Sequence, residues 1–244
     1  MYRILCFRLK TQAKLLQRVT SSALLLHPSR ILVITLKKIL DLNKKAWDNL
    51  AETYDSRQIS PISDTFKEFI GYLPEKSRVL DLGCGTGIPY AKYMADNWYR
   101  VTGIDLSEEM IKVASRNVPE ARFLQRSMTE IQFKDEFDGA CSSFSMLLLS
   151  PEMFIEAARR IHNALVSSGF FYLSLNEPPN NSEDPDEDAY VTVMGQDMYS
   201  RAYTVEEVSA IFTGLGFTQV SFHREVEFSK EFGEEHVIEF IYQK

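Results

Sequence analysis

Three glycines at alternate positions, Gly83, Gly85 and Gly87, interrupt the stretch VLDLGCGTGIP at residues 79–89. An apolar run reaches Asp81 and Leu82 just before them, and the helix-competent segment PYAKYMADN follows. A strand that turns sharply beneath a ligand has this composition, because glycine tolerates positive φ and lets another group approach the backbone. The spacing narrows the ligand. A dinucleotide fingerprint, G-x-G-x-x-G, would need glycine at position 88, where Ile88 stands. A P-loop would need Gly-Lys-Ser/Thr after the turn, and none follows. A pyrophosphate calls for a helix N-terminus with exposed N–H groups, whereas a ligand without phosphate needs a flat glycine floor and a few polar groups.

The segments around this turn alternate. RVLDLG, YRVTGIDL, ARFLQRS, FDGACSSFSM and GFFYLSLN read as strands, and PYAKYMADN, SEEMIKVASRN and PEMFIEAARRIHNAL between them as helices, the last with proline in its first turn. Two helices precede them. NKKAWDNLAETYDSR sets Trp47, Leu50 and Tyr54 at i, i+3 and i+7, and SDTFKEFIGYL offers Ser63 or Asp64 as its cap. This order predicts an α/β fold: a Rossmann-like, doubly wound, mostly parallel seven-stranded sheet covered on both faces. TVEEVSAIFTGLGF reads as a helix capped by Thr204 with Glu207 three residues on. TQVSFHREVEF and EEHVIEFIYQ then follow one another with no helix between, which predicts an antiparallel C-terminal hairpin at the sheet edge.

The rhythm breaks twice. Residues 177–203 are rich in Pro, Asn and acids and then turn apolar without clear periodicity. A loop of this length in a compact domain is functional or disordered, and we read it as an insertion or lid, mobile over 180–190 and packed near the site over Tyr199–Tyr203. Residues 1–41 form a basic segment outside the core fold: positions 1–40 hold eight Lys/Arg and no acid. A presequence, an amphipathic surface helix and a start-site artefact all fit it. The remaining 19 basic and all 34 acidic side chains leave residues 41–244 at a net charge of −15. A body this acidic is a poor grip for a nucleic-acid backbone. Cys6, Cys84 and Cys141 are few, odd in number and without CxxC or His-paired spacing, so neither a disulfide framework nor a zinc site is implied. No window reaches the roughly 18 unbroken apolar residues of a membrane span.

With the leading helix AWDNLAETYD, then VLDLGCGTGIP, VTGIDLSEEMI, RFLQRSMTEIQF and EFDGACSSFSMLLLS in this order, the chain resembles the class I S-adenosylmethionine (SAM)-dependent methyltransferases, small-molecule type, over residues 44–244. The resemblance implies SAM as cofactor, S-adenosylhomocysteine as product, no metal, and a domain over 42–244. It implies that Gly83, Gly85 and Gly87 floor the methionyl part, with Cys84 between them and Asp81 orienting the amino end. It implies that Asp105 accepts hydrogen bonds from the ribose hydroxyls, and that Leu106, Met110, Ser127 and Met128 lie about the adenine. Ser127 stands where the family often places an acid. Tyr54 covers the methionine carboxylate, and Ser143 completes the cofactor set.

In such a reaction the cofactor brings an activated methyl group, and the protein aligns a nucleophile, excludes water and removes a proton where one must leave. The acceptor-facing candidates are Ser145, Tyr199, Arg201 and Tyr203, with no single base among them. A non-catalytic SAM-binding or regulatory module, and a methyltransferase acting on RNA or protein, are the competing readings. A small-molecule acceptor is the expected partner, with no nucleic acid and no membrane span. The expected compartment is the cytoplasm, or the mitochondrial matrix if residues 1–40 are a presequence.

Overall fold

The computed structural model describes residues 28–55, 61–178, 189–229 and 233–244. The chain divides into a small unit, Met1–Lys38, and a larger one, Ile39–Lys244. Helix α1 runs from Pro28 to Asp55, so it begins well before the stretch whose periodicity announced it. The larger unit continues with α2 (Asp64–Gly71), β1 (Arg78–Leu82), α3 (Tyr90–Asp96), β2 (Arg100–Asp105), α4 (Glu108–Asn117), β3 (Arg122–Gln125) and β4 (Phe137–Ser143). A single 3-10 turn at Met146–Leu148 leads to α5 (Pro151–Ala164), β5 (Leu165–Asn176), β6 (Tyr190–Val193), β7 (Gln196–Tyr199), α6 (Val205–Gly214), β8 (Thr218–Ser229) and β9 (Gly233–Gln243).

Polar caps set the helix starts. The hydroxyls of Ser63, Ser107, Ser150 and Thr204 each accept a backbone N–H from the first turn of α2, α4, α5 and α6. Thr204 and Glu207 form a full capping box, which stabilises α6 by about 1 kcal/mol over an uncapped start.

The seven strands lie in the order β3-β2-β1-β4-β5-β9-β8. The first five are mutually parallel, and β9 is antiparallel to both β5 and β8. Successive strands step outward in one direction from β1 and in the other from β4, so the chain reverses its winding between these two neighbours. Open α/β sheets bind their ligands at the carboxyl ends of the strands flanking such a reversal. Cross-strand register sets Asp81 beside Gly103 on β2 and Cys141 on β4.

Both sheet faces are sealed. On one, Phe66 and Phe69 of α2 and Ala91 and Met94 of α3 pack with Val79, Cys141, Tyr172 and Ile241. On the other, the Phe212 ring of α6 stacks on Tyr242 at 4.6 Å and on Phe171 at 5.4 Å, with Phe154 of α5 edge-on at 6.2 Å. Phe212, Phe171 and Tyr242 are fully buried. Truncating a ring in such a stack to alanine costs about 3–5 kcal/mol.

The stretch expected to be a lid is partly a hairpin. Strands β6 and β7 pair from Tyr190↔Tyr199 to Val193↔Gln196, around a two-residue turn with φ of 49° at Met194 and 80° at Gly195. Positive φ at both central residues is the turn whose twist matches a hairpin. Val193 and Met198 pack on Ala46 and Leu50 of α1. The expected mobile stretch falls largely on residues 179–188, which lie outside the described residues.

Candidate cofactor site

The glycine turn folds back over β2: the N–H groups of Gly83 and Cys84 both donate to the Ile104 carbonyl, at 2.8 and 3.0 Å. All three glycines have positive φ, from 52° to 79°, yet they serve different ends. A Cβ on Gly83 would lie 2.3 Å from the Cβ of Ser145, and one on Gly87 would lie 3.1 Å from Val118 and 3.4 Å from Phe123. Those two are glycines because other protein atoms press on them. A Cβ on Gly85 would meet nothing within 4 Å among the described residues. Of the three glycines expected to form a floor, Gly85 is the one at which an added Cβ would meet open space, and Gly83 and Gly87 are those at which it would meet packed side chains.

Two acids lie at this turn, Asp81 buried and Asp105 half-buried. Asp81 is 4% exposed, and among the described residues its side chain meets the Cys141 thiol, at 3.7 Å. Burial, with a smaller push from the Asp105 charge, raises its carboxyl to about 7 against the opposing thiol contact. Asp105 accepts the Gly85 N–H at 3.0 Å on one oxygen and the Ser107 N–H at 2.8 Å on the other. Burial raises it too, to about 6, against those backbone bonds. Among the described residues neither acid belongs to an ion pair. Each oxygen of Asp105 still has a lone pair to offer, and Asp81 gains most from a cation.

Helix α1 closes one side. Asp48 accepts the Ser107 hydroxyl at 2.7 Å and a Lys44 ammonium at 2.6 Å. Despite the cost of burial, these donors hold its carboxyl below the ordinary range. Asp48 thereby ties α1 to the turn that carries Asp105. The sequence reading missed it; the signal available was an acid four residues after Lys44 and next to Trp47 on one helix. Trp47 and Tyr54 meet edge-on at 5.3 Å and pack, with Ala51, on Met110 and Val113. The Trp47 indole N–H is buried and has no hydrogen-bond partner among the described residues.

The remaining expected cofactor residues fall nearby in varied roles. Leu106 accepts the Gln125 amide at 3.3 Å through its carbonyl. Ser127 closes a local turn with the Thr129 hydroxyl at 2.7 Å. The Met128 methyl lies 3.6 Å from where a Gly83 Cβ would stand. Ser143 meets Ser174 at 3.2 Å. Cys84 and Cys141 are buried, and burial raises both thiols well above their ordinary range, so neither is a poised nucleophile.

Three of the four acceptor-facing candidates make contacts within the fold. Ser145 donates to the Leu82 carbonyl at 2.6 Å beneath the glycine turn. Arg201 is 4% exposed, pairs with Glu207 at 2.8 Å and sits 4.5 Å over the Tyr203 ring. Tyr203 donates to the Leu149 carbonyl at 2.7 Å and stacks on Phe154 at 4.4 Å. The backbone of Tyr199 is held by Asn43, which accepts its N–H at 2.8 Å and donates to its carbonyl at 3.0 Å. Asn43 also donates to Leu148 at 3.0 Å. It is a second residue the sequence reading passed over.

The strand order reverses between β1 and β4, and the open Gly85 with the raised carboxyls of Asp81 and Asp105 lies at that reversal. Residues 79–169 match the family described as "Methyltransferase domain". YqeM of Bacillus subtilis, a provisionally named methyltransferase, is 32% identical over 158 residues, 58% of this chain and 63% of its own. The ubiquinone biosynthesis O-methyltransferase of Nitrosomonas europaea is 39% identical over 35% of this chain and 36% of its own. The chain thus spans under two thirds of the length of these relatives. Among solved structures, the 1,6-didemethyltoxoflavin-N1-methyltransferase of Burkholderia thailandensis, with its substrate and S-adenosylhomocysteine bound, superposes with a TM-score of 0.62. It shares 20% identity over 86% of this chain and 90% of that one. A SAM-dependent methyltransferase of Methanosarcina mazei gives 0.67 at 19% identity, covering 76% and 99%. At these identities the likeness is one of fold.

Proposed function

We propose that the chain binds SAM across the Gly85 turn and transfers its methyl group to a small-molecule acceptor. The observation that carries this reading is the open space at Gly85, whose N–H is held by Asp105, at the strand-order reversal where Asp81 of β1 also lies. The donor set fits the cofactor. SAM supplies a methyl activated by a sulfonium, an ammonium group and a ribose diol. Asp81 would take the ammonium end, and Asp105, pre-oriented by the Gly85 and Ser107 N–H groups, would receive the two ribose hydroxyls. Met110, Met128 and Leu106 would flank the base, and Tyr54 with Trp47 would close the helix side. Among the described residues no cluster of potential metal ligands occurs.

The acceptor reading is supported by the acidity of residues 41–244 and by relatives whose names specify ubiquinone biosynthesis O-methylation. A hydroxyl acceptor of phenol type is the first class to try. The test pairs calorimetric titration with S-adenosylhomocysteine and methyl transfer from SAM to a panel of phenols and amines. Binding of the product with turnover of one panel member supports the reading. Failure to bind S-adenosylhomocysteine removes it, and binding without turnover of any small molecule would favour a regulatory module.

A further inference from the structure

The sheet ends in a strand whose outer edge is open. Strand β8 is last in the order β3-β2-β1-β4-β5-β9-β8, and among the described residues only β9 pairs with it. A bulge interrupts that pairing between Gln219 and Ser221, and from Ser221 to Ser229 the ladder is unbroken. The hairpin then outruns the sheet. Pairing of β5 with β9 stops at Asn176↔Val237, and one further bond joins the Glu177 N–H to the His236 carbonyl at 2.7 Å. Residues 226–229 and 233–235 therefore form an arm of two strands, and a two-stranded ribbon is marginally stable in water.

The apolar side chains of β8 share one face. Phe222 lies opposite Phe240, with the rings 5.0 Å apart, and Phe240 stacks on Tyr242 beneath α6. Alternation puts Arg224, Val226 and Phe228 on the same face. There Phe228 is 82% exposed, Val226 60% and Phe222 37%. An open edge with such a row is a template for another strand. The charges that would guard it are already occupied within the chain. Arg224 bonds both Glu177 oxygens at 2.8 Å, and on the opposite face His223 lies 3.7 Å from Glu225.

A strand that pairs antiparallel with its own copy is related to it by a two-fold axis normal to the sheet, so each residue faces one on the same side. With the axis at Arg224, Phe222 faces Val226 twice, and Phe228 comes level with Val220, itself 38% exposed at the bulge. On the other face His223 meets Glu225 twice. Arg224 meets its own copy with its charge answered by Glu177. Moving the axis one residue, to Glu225, would set two carboxylates in direct opposition, which is destabilising.

We propose that β8 is a homodimer interface, two copies pairing along Val220–Phe228 about a two-fold at Arg224 and joining their sheets into one. The apolar side chains bring on the order of 800 Å² of surface between the two copies, and the paired edges and the His223–Glu225 contacts add to it. Specific complexes begin at about 1,200 Å², so this dimer dissociates in the micromolar range. The axis closes the pair, and assembly stops at two.

Sedimentation velocity of the full chain tests the interface, from about 1 to about 100 µM protein in about 0.15 M salt. The native chain should pass from monomer to dimer over this range. Phe228→Glu should raise the dissociation constant by more than about tenfold. Because that position is exposed, its melting temperature should match that of the native chain; should it not fold, Val226→Lys takes its place. Glu225→Lys should weaken the dimer as much. The double variant His223→Glu/Glu225→Lys should restore it, because the pair between copies is then reversed in sign. A native chain that stays monomeric leaves the edge to a strand of another protein and overturns the proposal, as does growth into assemblies larger than two. A dimer that keeps its strength in Phe228→Glu, or a double variant no tighter than Glu225→Lys alone, overturns it as well.

Discussion

The glycines of the turn are separable by mutation because they are crowded from different sides. Gly85→Val should abolish binding of S-adenosylhomocysteine with little loss of native secondary structure, since its side chain enters open space and strains a backbone at φ 52°. Gly83→Ala should instead lower thermal stability, because the added methyl would collide with Ser145 Cβ. Calorimetry and thermal melts on both variants check the contrast, and equal cofactor loss in a fully stable Gly83→Ala would refute it. Asp105→Ala should weaken cofactor binding by about 1.5–3 kcal/mol, the scale of hydrogen bonds to a charged group. The sequence singled out Asp81, Asp105 and the glycines as candidates by their order alone. It could not show which glycine faces outward, since that depends on Ser145, Val118 and Phe123, all distant in sequence. Asp48 and Asn43 were hidden for a similar reason: each looks like a surface residue of a helix until a partner more than 50 residues away arrives.

Among the elements, local chemistry announced most of what formed. The Ser63 cap, the early acids of α4, the proline opening α5 and the Thr204–Glu207 box all lie where the sequence set them. The β6–β7 hairpin was illegible because its turn is Met-Gly, where asparagine or aspartate before glycine would have given it away. Its two strands are also only four residues long. The hairpin's attachment to α1 is testable through Asn43, whose amide makes three bonds to Leu148 and Tyr199. Asn43→Ala should destabilise the larger unit by about 2–3 kcal/mol through unsatisfied buried groups. It should also speed hydrogen exchange over 190–199 more than over β1. Uniform change across both segments would mean that the hairpin unfolds only with the sheet. Arg201→Ala, which empties the pair with Glu207 and the face of Tyr203, should lower the melting temperature and turnover together. A fully stable but inactive Arg201→Ala would restore that residue to the acceptor side.

Across the whole molecule, the two site acids make stability depend on pH in an unusual sense. Paired acids such as Asp138 and Glu207 have lowered values, so their contribution is present above the usual carboxylate range and lost as pH falls below it. Asp81 and Asp105 are raised, to about 7 and about 6, chiefly by burial. The folded protein therefore holds protons that the unfolded chain has released between about pH 4 and pH 7, and their contribution to stability declines as pH rises through that window. For Asp81 the shift from the ordinary carboxylate value corresponds to about 4 kcal/mol at most. Without cofactor the melting temperature should fall from about pH 5 to pH 8, and Asp81→Asn should flatten the decline while abolishing SAM binding. S-adenosylhomocysteine, whose ammonium compensates the ionised carboxylate, should raise the melting temperature more at pH 8 than at pH 5. A pH-independent increment would show that Asp81 does not meet the cofactor's charge.

Strand β9 has a consequence in time. It lies between β5 and β8, so the outer edge of β5, complete at Asn176, has no partner until residues 233–243 exist. At about 5–20 residues per second of translation, that edge waits roughly 3–13 seconds. Throughout the wait it presents a 12-residue strand containing Phe171, Leu173 and Leu175, a template to which another nascent chain could pair. The yield of native protein in a cell should therefore depend on how fast the ribosome traverses residues 177–232. Synonymous codons that slow this stretch should send more of the product into inclusion bodies, and the same codons placed after β9 should not.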